Sequence, residues 1–173
     1  LSLINDLTSL IDLHKFVDDC TLTEIIQKMQ LTSVMQQEVD SMQSWSHLNH
    51  MNINTKKTKE MFIGCNKQNQ TPNLQLNGQP IERVTTYKLL GLHVTDSLQW
   101  NEHVSSICSR AAQRLHFLKQ LKRAAMSTDD LTYYYQSVIR PVTEYACAVW
   151  HTSLTQGQSR LIESIQRRAM KII

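Results

Sequence analysis

The segment Lys15-Phe16-Val17-Asp18-Asp19-Cys20-Thr21-Leu22 decides how the rest of the chain is read. Two short β-prone runs, Lys15-Phe16-Val17 and Cys20-Thr21-Leu22, bracket an acidic pair, which predicts a hairpin with both carboxylates at its tip. On a regular strand neighbouring side chains point to opposite faces, but at a tip both can reach one cleft. Such a pair suits Mg²⁺, which takes one or two carboxylates and completes its octahedron with substrate phosphates. Taken alone, the dipeptide is more simply a solvated turn, because Asp is a favoured turn residue.

Downstream of the hairpin, Thr23 is placed to cap a helix along which Ile25, Met29, Met35, Val39, Met42 and Trp45 recur at near-helical spacing, ending near His50. Glu60-Met61-Phe62-Ile63 is short and β-prone. Leu74-Gln75-Leu76-Asn77-Gly78-Gln79-Pro80-Ile81 sets Asn-Gly between alternating apolar residues, a strong hairpin signal. Val84, Tyr87, Leu89 to Leu92 and Val94 predict another strand pair around Gly91, where a missing side chain serves either a close backbone approach or a bulge.

From about residue 100 the periodicity turns helical. Val104, Ile107, Cys108, Ala111, Leu115, Leu118 and Leu121 form one apolar stripe. Leu131, Tyr134, Tyr135, Val138, Val142, Tyr145 and Val149 form a second, and Leu161, Ile162, Ile165, Ala169 and Ile172 a third. Ser127-Thr128-Asp129-Asp130 is a cap for the second helix, and Pro141 is expected to kink it. The expected fold is therefore α+β. Residues 1–100 carry antiparallel hairpins, and residues 101–173 carry a three-helix bundle.

Composition agrees with a folded domain. In 173 residues, 41% are hydrophobic, 19% are charged, and there are only 4 Gly and 3 Pro, which excludes collagen-like and wholly disordered classes. No apolar run approaches the roughly 20 residues that cross a bilayer, and Leu1 opens no signal-peptide pattern, so neither a membrane span nor secretion is expected. The net charge of +3 is unevenly divided: residues 1–100 hold 8 basic and 10 acidic side chains, residues 101–173 hold 10 and 5. Arg110, Arg114, Lys119, Lys122 and Arg123 on the first C-terminal helix, and Arg160, Arg167, Arg168 and Lys171 on the last, either follow a nucleic acid backbone or form ordinary solvated faces. Tyr133, Tyr134 and Tyr135 are candidates for base stacking, with at least two expected in the core. Cys20, Cys65, Cys108 and Cys147 lack zinc or disulfide-framework spacing and read as buried free thiols in a reducing compartment. His47 and His50 share a helical face without further ligands.

The order of these segments resembles the latter part of the reverse transcriptase of non-LTR, LINE-type retrotransposons, in particular the jockey-like group. Ile4-Asn5-Asp6-Leu7 resembles that family's I-N-D-L, and Phe16-Val17-Asp18-Asp19 its F/Y-A-D-D hairpin, with Val17 in place of the usual Ala. Trp45 and Met51-Asn52-Ile53-Asn54-Thr55-Lys56-Lys57-Thr58-Lys59 resemble W…L-x-L-N-x-x-K-T-K. Tyr87-Lys88-Leu89-Leu90-Gly91-Leu92, Asp96, Leu98-Gln99-Trp100 and His103 resemble Y-K-Y-L-G-V…D…L-x-W-x-x-H. Tyr135, Ile139-Arg140-Pro141, Tyr145 and Val149-Trp150 resemble the helical thumb and connection region.

The resemblance implies a partial polymerase palm followed by a thumb-like bundle, and RNA-directed DNA synthesis with RNA template, DNA primer, deoxynucleoside triphosphates and Mg²⁺. Asp18 would be the main metal ligand and Asp19 a peripheral one. Lys57, otherwise one of three lysines on a solvated loop, would meet the departing pyrophosphate, and Leu90 and Gly91 would form the primer grip. Family biology implies an intracellular protein, nuclear or cytoplasmic. The family's upstream F-x-D-x-x-x-A-F-D strand, Ser-Gly and Pro-Gln-Gly segments do not precede Leu1, so this chain alone is expected not to polymerise. The competing expectations are a non-catalytic helical module that binds nucleic acid or protein, and a decayed copy. An uncovered apolar face and open strand edges are expected if the palm is partial.

Overall fold

The computed structural model describes residues 4–26, 33–64 and 72–173; Met29 of the expected first helix and Cys65 lie outside the described residues. The fold is α+β; among the described residues the strands form two-stranded ladders, and helices dominate the second half. By compactness the chain divides between Thr85 and Thr86.

In the first unit, β1 (Asp12–Phe16) and β2 (Asp19–Thr23) pair antiparallel, with Phe16 opposite Asp19 and Asp12 opposite Thr23. Thr23 is thus the last strand residue and caps nothing. Helix α1 runs from Met35 to Leu48, so it starts later than the sequence suggests. Residues 24–26 are not helical, and Ile25 is exposed. The Glu24 carboxylate accepts from the Ser33 hydroxyl at 2.6 Å and the Val34 N–H at 3.2 Å, supplying a free helix-start donor with a partner from outside the helix. At the other end, Met51 N–H donates to the Ser46 carbonyl and His50 N–H to that of His47, with His50 at φ 53°. This is the Schellman termination, and it gives His50 a backbone role.

Strand β3 is Lys59–Glu60, so of the expected run only Glu60 is in a strand and Met61-Phe62-Ile63 lie outside it. Its partner is β6 (Glu82–Arg83), in parallel. Lys59 pairs with Glu82, and Arg83 with Glu60 at 3.1 Å, while the Arg83 guanidinium sits 4.8 Å over the Phe62 ring. Between them, β4 (Gln75–Leu76) and β5 (Gln79–Pro80) form the expected hairpin. Asn77 and Gly78 both have positive φ, 54° and 69°, the twist-matched turn that Asn-Gly favours.

The second unit begins with β7 (Thr86–Leu89) and β8 (Leu92–Thr95), again antiparallel. Helix α2 (Asn101–Arg123) buries the first apolar stripe through Val104, Ile107, Ala111, Leu115 and Leu118. The second stripe is not one helix. It is α3 (Thr128–Tyr134), a π-helical turn Tyr135–Ile139, α4 (Arg140–Glu144) and, after a left-handed Ala146 at φ 50°, α5 (Cys147–Trp150). A short 3₁₀ turn (His151–Ser153) leads to α6 (Gln156–Ile172). Ser127 caps α3 as expected, its hydroxyl oxygen accepting from Asp130 N–H. Thr155 and Gln158 form a reciprocal capping box at the start of α6. Gln158 also donates to Asn101 Oδ1 at 2.8 Å, tying the start of α6 to that of α2.

The apolar core lies in this unit, from Leu92 to Ala169, with Trp150, Ile107, Leu115, Leu118, Leu131 and Ile139 among its most deeply buried side chains. Each buried aliphatic of this kind stabilises by roughly 1.5–3 kcal/mol relative to exposure. Cys20, Cys108 and Cys147 are free thiols, but they are not all buried as expected: Cys20 and Cys108 are half-buried and Cys147 is exposed. Burial raises the pKa of Cys20 and Cys108.

Candidate functional site

The acidic hairpin is built from its base. The Lys15 ammonium donates to the main-chain carbonyls of Ile4, Asn5 and Leu7 at 3.0, 3.0 and 2.9 Å, which fixes the Ile4–Leu7 turn against β1. Ile4 and Leu7 are buried, and Asp6 accepts from Trp45 Nε1–H at 3.2 Å. The resembling positions Asp6 and Trp45 therefore meet. Glu38 is buried, and its Oε2 accepts from the Ser9 hydroxyl at 2.7 Å and Leu10 N–H at 3.1 Å. The α1 face expected to be apolar is thus anchored by a carboxylate. An acid inside an apolar stripe was the signal available for it.

At the tip, Val17 and Asp18 are the two turn residues and Asp19 opens β2; both carboxylates are exposed. Val17 has φ 57°, a left-handed conformation that a β-branched residue adopts only under strain. Lys57 lies on the turn after Met51-Asn52-Ile53. Its N–H donates to the Asn54 carbonyl and to Asn54 Oδ1, both at 3.1 Å, and its side chain is exposed. Among the described residues no ion pair joins Lys57 to Asp18 or Asp19, and no group of three or more His, Cys, Asp and Glu gathers as a metal site.

The second candidate region is tightly assembled. Leu90 and Gly91 are the turn of the β7–β8 hairpin, at φ 45° and 87°. Tyr145 Oη–H donates to the Leu90 carbonyl at 2.9 Å, and the Tyr145 ring lies so close that a Cβ on Gly91 would stand 3.3 Å from its Cε1. Gly91 therefore serves a close approach. The Tyr145 carbonyl accepts from Trp150 Nε1–H at 3.0 Å. The Trp150 ring meets buried His103 edge-on at 5.3 Å between centroids, and Trp100 meets it at 5.9 Å. His93 N–H donates to His103 Nδ1 at 3.5 Å. Burial, with His93 and Arg110 nearby, holds the His103 imidazole below its ordinary pKa, so it is the neutral form that packs here. A shallow depression of about 430 Å³ beside this lock is lined by Gln136, Arg140, Pro141, Glu144 and Tyr145.

The basic residues of α2 do not form one row. Arg110 and Arg114 lie on one side of the buried stripe and Lys119 and Arg123 on the other. Arg114 is half-buried and donates to the Val138 carbonyl in the π-helical turn; Lys122 donates to the Ile173 carbonyl at 2.8 Å. Those two cations hold helices together. Arg110, Lys119 and Arg123 are exposed, as are Arg160, Arg167, Arg168 and Lys171 on α6. Of the three tyrosines, Tyr133 is exposed, Tyr134 is half-buried and Tyr135 is in the core.

Among the described residues no helix is long and apolar enough to cross a membrane. The family model for the N-terminal region of alkylated DNA repair protein alkB homolog 8 matches residues 100–140, from the start of α2 to the start of α4. No solved structure matches the chain. The RNA-directed DNA polymerase from mobile element jockey of Drosophila funebris is 25% identical over 138 residues, which is 78% of this chain and 15% of that protein. The chain is thus similar, at a distance, to a reverse transcriptase over most of its length, and it spans about 15% of the length of that relative.

Proposed function

We propose that this chain is a segment of an RNA-directed DNA polymerase of the non-LTR retrotransposon type. In this reading residues 1–100 are part of the palm and residues 101–173 the thumb and connection helices. The observation that carries it is the β1–β2 hairpin, which presents Asp18 and Asp19 at an exposed tip in a chain similar to such a polymerase. Two exposed carboxylates fit a partial Mg²⁺ site, because that ion accepts one or two protein carboxylates and fills its shell from phosphates. Asp18 would be the principal ligand and Asp19 the peripheral one. When held there, Mg²⁺ would supply stabilisation of the charge developing on the transferred phosphate. The primer 3′-hydroxyl gives its proton to solvent as its oxygen bonds the α-phosphorus, the bond to the bridging oxygen breaks, and pyrophosphate leaves. The exposed Lys57 ammonium suits that departing group, as a compact charge on a flexible stem. Leu90 and Gly91 would contact the primer, and Arg110, Lys119 and Arg123 are free to meet a nucleic acid backbone; Arg114 and Lys122 act mainly between helices.

The test joins this chain to the portion of the jockey polymerase that precedes the matched region and measures primer extension on an RNA template with Mg²⁺. The chimera is expected to extend the primer. Asp18→Asn abolishes extension, and Asp19→Asn lowers it by roughly 10 to 100-fold, as for a supporting ligand. Extension that persists in Asp18→Asn, or a folded chimera that binds primer–template without extending it, would overturn the reading in favour of a non-catalytic module.

A further inference from the structure

We infer that Tyr145 is a positioning residue that fixes the Leu90–Gly91 turn for the primer end; this rests on the polymerase reading above. Tyr145 touches the turn twice, through its hydroxyl on the Leu90 carbonyl and through its ring edge over Gly91. The backbone is strained at both ends of that contact. Leu90 is left-handed at φ 45°, and Ala146, immediately after Tyr145, is left-handed at φ 50°. Neither residue adopts that region readily, and strain of this kind persists only where surrounding contacts over-determine it. The helical chain ends at Glu144 and resumes at Cys147, so Tyr145 is released from the helix to reach the hairpin. Its own backbone is then held from behind, because its carbonyl accepts from the deeply buried Trp150 indole. The result is a rigid path from the core through Tyr145 to the two turn residues. A surface hairpin turn that needed only to connect two strands has no use for such a tether.

Two measurements separate this role from mere stability. In the isolated chain, Tyr145→Phe keeps the ring and removes the hydroxyl, and amide exchange at Leu89 and Leu92 is expected to quicken roughly tenfold. In the chimera described above, the same variant raises the KM for primer–template roughly tenfold and leaves kcat within about twofold. Ile165→Val, a core change of comparable stability cost on α6, serves as the control and leaves that KM unchanged. Unchanged exchange in Tyr145→Phe, or an active chimera whose KM does not respond to it, sinks the positioning role alone. A folded wild-type chimera that binds primer–template without extending it sinks the polymerase reading and this role with it, whatever the variants do.

Discussion

Gly91 is the residue where geometry leaves least freedom. Its φ of 87° and the 3.3 Å approach of Tyr145 Cε1 both act against any side chain. Gly91→Ala is expected to destabilise the chain by about 1–3 kcal/mol, read as a lowered urea midpoint, with Gly78→Ala costing less because nothing lies within 4 Å of its added methyl. Buried His103 gives a second expectation. Its folded pKa is depressed, so above the unfolded value of about 6.5 it is neutral in both states and contributes no pH dependence. As pH falls through 6.5 toward the folded value, the unfolded chain takes up the proton first and stability declines. Urea midpoints between pH 8 and pH 5 should therefore fall on acidification. His103→Phe, which has nothing to titrate, should remove that component of the slope.

At the scale of elements, helix ends were harder to read than helix faces. Glycine is the usual stop signal, and here two helices end in Schellman turns on other residues, α1 on His50 and α2 on Ala125. Ala125 sits at φ 58°, its N–H donating to Lys122 and that of Met126 to Leu121. Ala125→Gly is expected to raise stability by about 1 kcal/mol, visible as a higher thermal midpoint, because it relieves the left-handed penalty. The second apolar stripe was legible as far as Val142, which is buried as Leu131 and Tyr135 are. Ile139 is buried outside the expected pattern, and Tyr145 and Val149 are exposed, because the π-helical turn and the break at Tyr145 shift the phase that a constant period assumes. The hairpins, by contrast, were evident from Asn77-Gly78 and from β-prone runs around Asp18-Asp19 and Gly91, since a two-residue turn is specified locally. The start of α1 was not, because Glu24, ten residues before Val34, supplies its partner. Nor could spacing show that Arg114 and Lys122 reach main-chain carbonyls on other elements.

For the molecule as a whole, the division between Thr85 and Thr86 separates two very different interiors. Among the described residues the contiguous core lies in residues 86–173, whereas the buried apolar side chains of the first unit are Ile4, Leu7, Leu76 and Ile81. That unit also exposes Leu10, Ile25, Leu48, Val17 and Phe16, and its described strands are isolated pairs, which are marginal in water on their own. Residues 86–173 expressed alone are therefore expected to unfold cooperatively, at a midpoint close to that of the main transition of the full chain. A non-cooperative melt of that piece would show that its core depends on the first 85 residues. The π-helical turn at Tyr135–Ile139 also bears on chain length. Its wider ring holds one residue more than an α-turn requires. Homologues one residue shorter could lose it there by closing the ladder, with α3 and α4 keeping their faces. A gap at this point in an alignment would then mark a change of helical winding with no loss of fold.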